Sequence, residues 1–236
     1  MRLPTLLLPA MQCTPRLFAG QMSLLWHHGP VMVADTTQGN DIAGMAAAIL
    51  ADAPPVFRVL GVSMGGYLAF ELYRQAPGRI RGMVLCNTSA RPDTPARRGE
   101  RERLIRVSRL RGFVPRFNPA LVAPYHTDDL HLQAACNAMA LELGAAAFAR
   151  QQAVILSRPD SRPLLSSIRC RTLVIGGAHD QLTTPDVVRE IADGIPGAEL
   201  AIIQQAGHLP PLEVPDAFNE VLAAWLASEP TDSAPV

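Results

Sequence analysis

The stretch VFRVLGVSMGGYLAFELYRQAP, residues 56–77, sets one serine among glycines where a short apolar run gives way to a helical pattern. The run reads as a buried strand, and apolar residues at helical spacing follow it. GVSMG, from Gly61 to Gly65, fits G-x-S-x-G at a strand-to-helix turn. So tight a turn strains the serine backbone and demands small neighbours, which accounts for Gly61, Gly65 and Gly66. The Ser63 hydroxyl is then expected at the carboxyl end of a sheet. The backbone N–H of Met64 points at the same spot, where a helix N-terminus favours developing negative charge.

A serine hydroxyl is a weak nucleophile until a base takes its proton, and that base needs an acid to orient it. The chain supplies both, each in a loop after a later strand. RTLVIGG is followed by AHDQLTTP, which puts Asp180 just past a strand end. AELAIIQQ is followed by AGHLPPLEVPDAF, which puts His208 before the final helix. Asp186 is a rival acid, but its place after Pro185 suits it better to cap a helix over residues 187–195. His179 is expected to line the acid loop, and His27 and His28 to lie on the surface of an early connection. HTDDLH, residues 126–131, carries ligand-type side chains without the spacing of a metal site and reads as an ordinary loop.

Strands are expected over residues 5–8, 31–34, 57–62, 80–86, 172–176 and 199–203, alternating with helices, as in a mainly parallel sheet covered on both faces. Asp41 is placed to cap a helix over residues 42–51, and a last helix is expected from Pro215 to about Ser228 with Phe218, Val221, Leu222 and Trp225 inward. Between Arg91 and Arg169 no strand is evident. Helices are expected over residues 95–111, 130–143 and 145–156, an insertion placed to roof a pocket as a lid. The organisation is thus a core of residues 1–90 and 170–228, a helical cap of residues 91–169, and a frayed tail of residues 229–236.

The 236 residues are 48% hydrophobic and 18% charged with a formal net charge of zero, so nothing global favours nucleic acid or a membrane surface. All 21 basic residues are arginine, which excludes Schiff-base, phosphate-loop and other lysine chemistry. No apolar stretch approaches the roughly 20 residues needed to cross a bilayer. The start of the chain reads as a strand rather than a signal peptide. Cys13, Cys86, Cys136 and Cys170 are scattered, as expected of free thiols in the cytoplasm. Residues 91–116 hold nine Arg against Asp93, Glu100 and Glu102. This run is expected to be the solvated face of an amphipathic helix, with Leu104, Val107 and Leu110 inward; steering of anionic substrates is the other reading.

With GVSMGG, GGAHDQLTTP and GHLPPLEVPDAF in the order Ser63, Asp180, His208, the chain resembles the α/β-hydrolase fold family. The last segment is similar to the family's G-H-x-x-x-x-E-x-P-x-x-F ending, and IPGAEL resembles the small esterase and 3-oxoadipate enol-lactonase branch. The resemblance implies a sheet of about six strands, smaller than in members with two further N-terminal strands. It also implies a second oxyanion donor at the N–H of Met11, where Pro9-Ala10 replaces the usual His-Gly. The implied activity is hydrolysis of a small ester by a Ser-His-Asp acyl-enzyme route, without cofactor or metal. Lactone or C–C bond hydrolysis by the same residues stays open, as does a non-catalytic receptor for small molecules. Oligomeric state is left open.

Overall fold

The structure, a computed structural model, describes residues 2–228; the tail expected over residues 229–236 lies outside them. Six strands, β1 (Thr5–Leu8), β2 (Val31–Val33), β3 (Phe57–Val62), β4 (Ile80–Cys86), β5 (Arg171–Gly177) and β6 (Glu199–Ile203), form one parallel sheet. Their order is β2-β1-β3-β4-β5-β6. Alternate residues of each strand face opposite sides. Leu6, Leu8, Val59, Met83, Leu85 and Val174 face one core. Leu7, Leu60, Val62, Val84, Leu173 and Ile175 face the other. Both sides are buried, which is why the strands read as nearly unbroken apolar runs.

The first face is covered by α2 (Ile42–Asp52), α3 (Met64–Gln75) and α7 (Pro185–Gly194). In α2 the inward residues Ile42, Met45, Ala46, Ile49 and Leu50 fall on one helical stripe, and the Asp41 carboxyl caps its start by accepting the Gly44 N–H at 2.7 Å. The second face is covered by a 3-10 turn over Pro15–Gln21, α1 (Met22–His28) and α9 (Pro215–Ala227). The early connection is therefore helical, with His27 exposed and His28 half-buried at the end of α1. In α9, Phe218, Leu222 and Trp225 are buried as expected, joined by Leu226, while Val221 is only half-buried.

Between β4 and β5 the described residues form no strand. They build α4 (Pro95–Ser108), two 3-10 turns, α5 (Leu130–Ser157) and the short α6 (Arg162–Leu165). The two helices expected over residues 130–156 are present as the two arms of α5, which meet in a kink at Gly144, whose φ of 73° leaves the helical region where glycine has no Cβ to clash. By length and composition alone α5 would suffice to cross a bilayer, contrary to the sequence expectation, because its alanines raise the mean hydropathy of an 18-residue window to 1.2. Here it packs on α4 and α2. Asp93 ties the insertion's own segments together, and Arg158 carries the tie onto the core. This buried carboxylate accepts from Arg101 of α4 and from Arg158 just past α5, both at 2.7 Å, and the Arg158 guanidinium lies 4.3 Å from the centre of the Tyr67 ring.

One helix start differs from expectation. Asp186 does not cap α7, which begins at Pro185 behind Thr184; its side chain is 93% exposed and pairs with Arg189 at 3.2 Å.

Candidate active site

Because every strand runs the same way, the loops after β1, β3, β4, β5 and β6 meet at one edge of the sheet. Ser63 occupies the turn between β3 and α3 with φ 53° and ψ −111°, a conformation that costs of order 1–3 kcal/mol in a non-glycine residue. Its surroundings hold it there. The Ser63 N–H donates to the Cys86 carbonyl at 2.9 Å, and the Thr88 hydroxyl donates to the Ser63 carbonyl at 2.8 Å. The glycines are required by close approach: a Cβ on Gly65 would lie 1.9 Å from the Leu8 carbonyl oxygen, and one on Gly66 would lie 2.4 Å from the Thr88 hydroxyl.

The Ser63 Oγ lies 2.8 Å from His208 Nε2, and His208 Nδ1 lies 2.7 Å from Asp180 Oδ2. All three are buried, at 8%, 3% and 2% exposure, so the polar contacts work in a low dielectric. Asp180 also accepts from the Thr183 hydroxyl at 2.6 Å and from the N–H groups of Leu182 and Thr183 at 2.7 and 3.1 Å. Burial pushes this carboxyl up, but the facing His208 charge and the hydrogen bonds from His208 and Thr183 outweigh it and hold the pKa below the ordinary value. An ionised Asp180 has only acceptors, so Nδ1 carries the imidazole proton and Nε2 is left to accept from Ser63.

Met64 opens α3, where its N–H has no intrahelical acceptor. Among the described residues neither the Met64 nor the Met11 N–H donates within the protein, and Met11 lines the same cavity as Ser63. The bend of the loop after β1 falls at Gln12, with φ 64°. Its N–H donates to the Gln151 Oε1 of α5 at 2.9 Å, and Gln151 Nε2 donates to the Thr36 carbonyl at 3.2 Å.

The rival candidates lie elsewhere. Asp186 is exposed and pairs with Arg189, whereas it is Asp180 that pairs with His208. His179 Nε2 meets the Tyr125 hydroxyl at 3.0 Å, and Asp129 of the HTDDLH stretch caps α5 by accepting from the N–H groups of His131 and Leu132.

Three tethers escaped the sequence reading. Asn87, with φ 43°, donates from Nδ2 to the Gly207 carbonyl at 2.6 Å and accepts the Gly177 N–H at 2.8 Å, joining the acid and histidine loops. Glu213 accepts the N–H groups of Ala123 and Gly207 at 2.8 Å each and that of Leu209 at 2.7 Å. Gln151 is the third. An Asn directly past a strand, a residue type that tolerates positive φ, was the available signal for the first. The Glu of the G-H-x-x-x-x-E ending was the signal for the second.

Ser63 opens onto a cavity of about 640 Å³ walled by α4, α5 and the segment between them, with Tyr67, Leu104, Phe113, Phe148 and Ile155 as its apolar lining. A smaller recess of about 60 Å³ lies on the side of Cys13, Phe117, Cys136 and His208. Burial pushes the Cys136 thiol up to about 12 and the Cys13 thiol higher still, which keeps both protonated and inert.

The parallel sheet, the strained serine turn and the helical insertion define an α/β-hydrolase fold. The chain belongs to the alpha/beta hydrolase family, whose sequence profile matches residues 21–221. It is similar to the 2-hydroxy-6-oxononadienedioate/2-hydroxy-6-oxononatrienedioate hydrolase of Escherichia coli O139:H28, with 36% identity over 69 residues, 29% of this chain and 24% of that protein. The match thus spans about a quarter of that relative's length. Among solved structures, a thermophilic esterase from Thermogutta terrifontis, with malate bound, superposes with a TM-score of 0.83 at 27% identity, covering 95% of this chain and 89% of that one. The enol-lactonase from Burkholderia xenovorans LB400 shares the fold, with a TM-score of 0.83 at 24% identity over 97% of this chain and 92% of that one.

Proposed function

We propose that this protein is a serine hydrolase that cleaves a small carboxylic ester through an acyl-enzyme. The observation that carries the reading is the unbroken hydrogen-bond chain from Ser63 through His208 to Asp180, 2.8 and 2.7 Å long, at the wall of a cavity. In this mechanism His208 Nε2 takes the Ser63 proton as Oγ attacks the carbonyl carbon. The oxyanion settles against the N–H groups of Met64 and Met11, while Asp180 stabilises the imidazolium. Collapse gives the leaving alcohol the proton held on His208 and leaves the acyl group on Ser63. His208 then takes a proton from water as the water oxygen attacks the acyl carbon, and on collapse returns that proton to Ser63 Oγ as the acid departs. Residues 91–169 act as the lid that closes the cavity, and the four free cysteines agree with a reducing, cytoplasmic setting.

A panel of p-nitrophenyl esters of rising acyl length, run beside lactones, tests this reading. Ser63→Ala is expected to lose turnover by at least 10³-fold while keeping its fold by circular dichroism. Undiminished turnover by the purified variant would refute it. The second reading keeps the same residues but takes a lactone or the C–C bond of a diketone, and is favoured by the match to the E. coli hydrolase and the shared fold of the enol-lactonase. Preference for ring-closed or diketone substrates over open esters would select it.

A further inference from the structure

The charged residues of α4 face solvent, and Leu104 and Val107 turn inward to half-burial, as the sequence reads. Leu110, expected inward with them, is 65% exposed. The cause is where the helix stops. α4 ends at Ser108 and the chain then turns twice, the Leu110 N–H donating to the Val107 carbonyl at 3.0 Å and the Phe113 N–H to the Leu110 carbonyl at 3.2 Å. Gly112, with φ 84°, sits in the second turn. The Phe113 ring packs 5.3 Å from that of Phe148 on α5, so the turn is pinned from inside while Leu110 points to solvent. Two more aliphatic side chains are exposed beside it. Val114 is 47% exposed. Residues 113–117 run along α5, because the Phe117 N–H donates to the Asn137 side chain at 3.0 Å, and Leu141, one turn on from Asn137, is 57% exposed.

Arginine surrounds these side chains. Residues 106–117 contain four Arg and no acid. Arg106, Arg109, Arg111 and Arg116 are all exposed, and among the described residues none has an ion-pair or hydrogen-bond partner for its guanidinium. Elsewhere in the insertion Arg91, Arg101, Arg103, Arg158 and Arg162 are each paired with a carboxylate. Glu142, next to Leu141, is paired with Arg16 at 3.0 Å. Glu102, one turn before Arg106, is the nearest acid in sequence and leaves the cluster strongly positive. Unpaired guanidiniums around aliphatic tips match an anionic lipid surface on both counts. Each guanidinium can pair with a lipid phosphate through two N–H groups, and the apolar tips leave water for the headgroup layer. A nucleic acid answers only to the charge, and the exposed side chains here include no aromatic ring for its bases to stack on.

We propose that residues 106–116, with Leu141, form the surface by which this protein docks on an anionic lipid bilayer. Leu110 and Val114 enter the headgroup layer, and the four arginines rest on lipid phosphates. Val114 and Arg116 also line the cavity onto which Ser63 opens, so the docked protein presents the mouth of that cavity to the bilayer.

The full chain is sedimented with sucrose-loaded vesicles of phosphatidylcholine alone and of a two-to-one mixture of phosphatidylcholine and phosphatidylglycerol. Partitioning is expected to be at least tenfold stronger on the anionic vesicles and to weaken as salt is raised. Arg106→Gln/Arg109→Gln/Arg111→Gln is expected to lower it at least tenfold, and Leu110→Ser about tenfold. These four side chains are exposed and lie outside the cavity, so both variants should keep the parent's circular dichroism. Trp26→Ser, which removes a 70% exposed apolar side chain from α1, is the control and keeps the parent's partitioning. Equal partitioning onto the two kinds of vesicle, or partitioning unmoved by the arginine replacements or by Leu110→Ser, overturns the surface. So does retention of a fluorescent single-stranded oligonucleotide without sedimentation on the anionic vesicles. Binding is read without turnover, so the result stands apart from the serine-hydrolase reading.

Discussion

The side-chain carbonyl of Gln151 accepts the backbone N–H of Gln12 at 2.9 Å, joining residues 139 positions apart. Gln12 is bent to a φ of 64°, and its neighbour Met11 carries one of the two N–H groups proposed to bind the oxyanion. The loop has no glycine at this bend, so the geometry is held by the partner on α5. Gln151→Leu removes that acceptor. Its kcat is expected to fall about 10- to 100-fold with KM little changed, since a misplaced oxyanion donor acts on the transition state and not on ground-state binding. Steady-state kinetics and the rate of fluorophosphonate labelling measure it; an unchanged kcat would remove Gln151 from the argument.

Glu213 gathers three backbone N–H groups around the His208 loop, two of them from Gly207 and Leu209 on either side of the histidine. Glu213→Ala leaves these donors buried and unpaired, at about 1–3 kcal/mol for each unsatisfied group. Urea denaturation is expected to show a loss of at least that order. Glu213→Gln, which retains one oxygen, should recover part of the stability, and a variant as stable as the parent would contradict the role.

Asp93 makes the joining of α4 to the segment after α5 sensitive to acid. Burial pushes its carboxyl up, but the hydrogen bond and charge of Arg158, with those of Arg101, outweigh this and hold the pKa below the ordinary value. A carboxyl depressed in the folded state stabilises fully above its unfolded pKa, near 4. That contribution is lost as pH falls through the lower, folded value. Stability of the parent should therefore decline below about pH 4 more steeply than that of Asp93→Asn, the two curves converging in acid. At neutral pH the variant is expected to be less stable by about 3 kcal/mol, because Arg158 is left buried without its partner. Parallel curves would refute this.

Much of this molecule can be read locally. The six strands are apolar runs bounded by turn residues, and the serine turn advertises itself through Gly61, Gly65 and Gly66. The split of the insertion helix at Gly144 is visible because glycine interrupts an alanine-rich stretch. What escaped depends on meetings between distant segments. The charged residues of α4 face solvent and Leu104 and Val107 turn inward as the sequence reads, but that Arg97, Glu100 and Arg101 also border the cavity depends on packing against α5. The tethers from Gln151 and Asn87 span 139 and 120 residues, so no local spacing encodes them. Asp186 misled because a cap and a first-turn acid leave nearly the same mark two positions apart.

The hydrogen bonds that cross from the insertion into the core bear on how this chain can be engineered. His208 N–H donates to the Leu121 carbonyl at 2.7 Å, and Gln12 depends on Gln151. Residues 91–169 are therefore not a cassette to be exchanged for a relative's equivalent to change selectivity. A chimera that transplants them must carry over the Leu121 to Ala123 backbone and Gln151, or it will lose the alignment of its reactive groups along with its old preference.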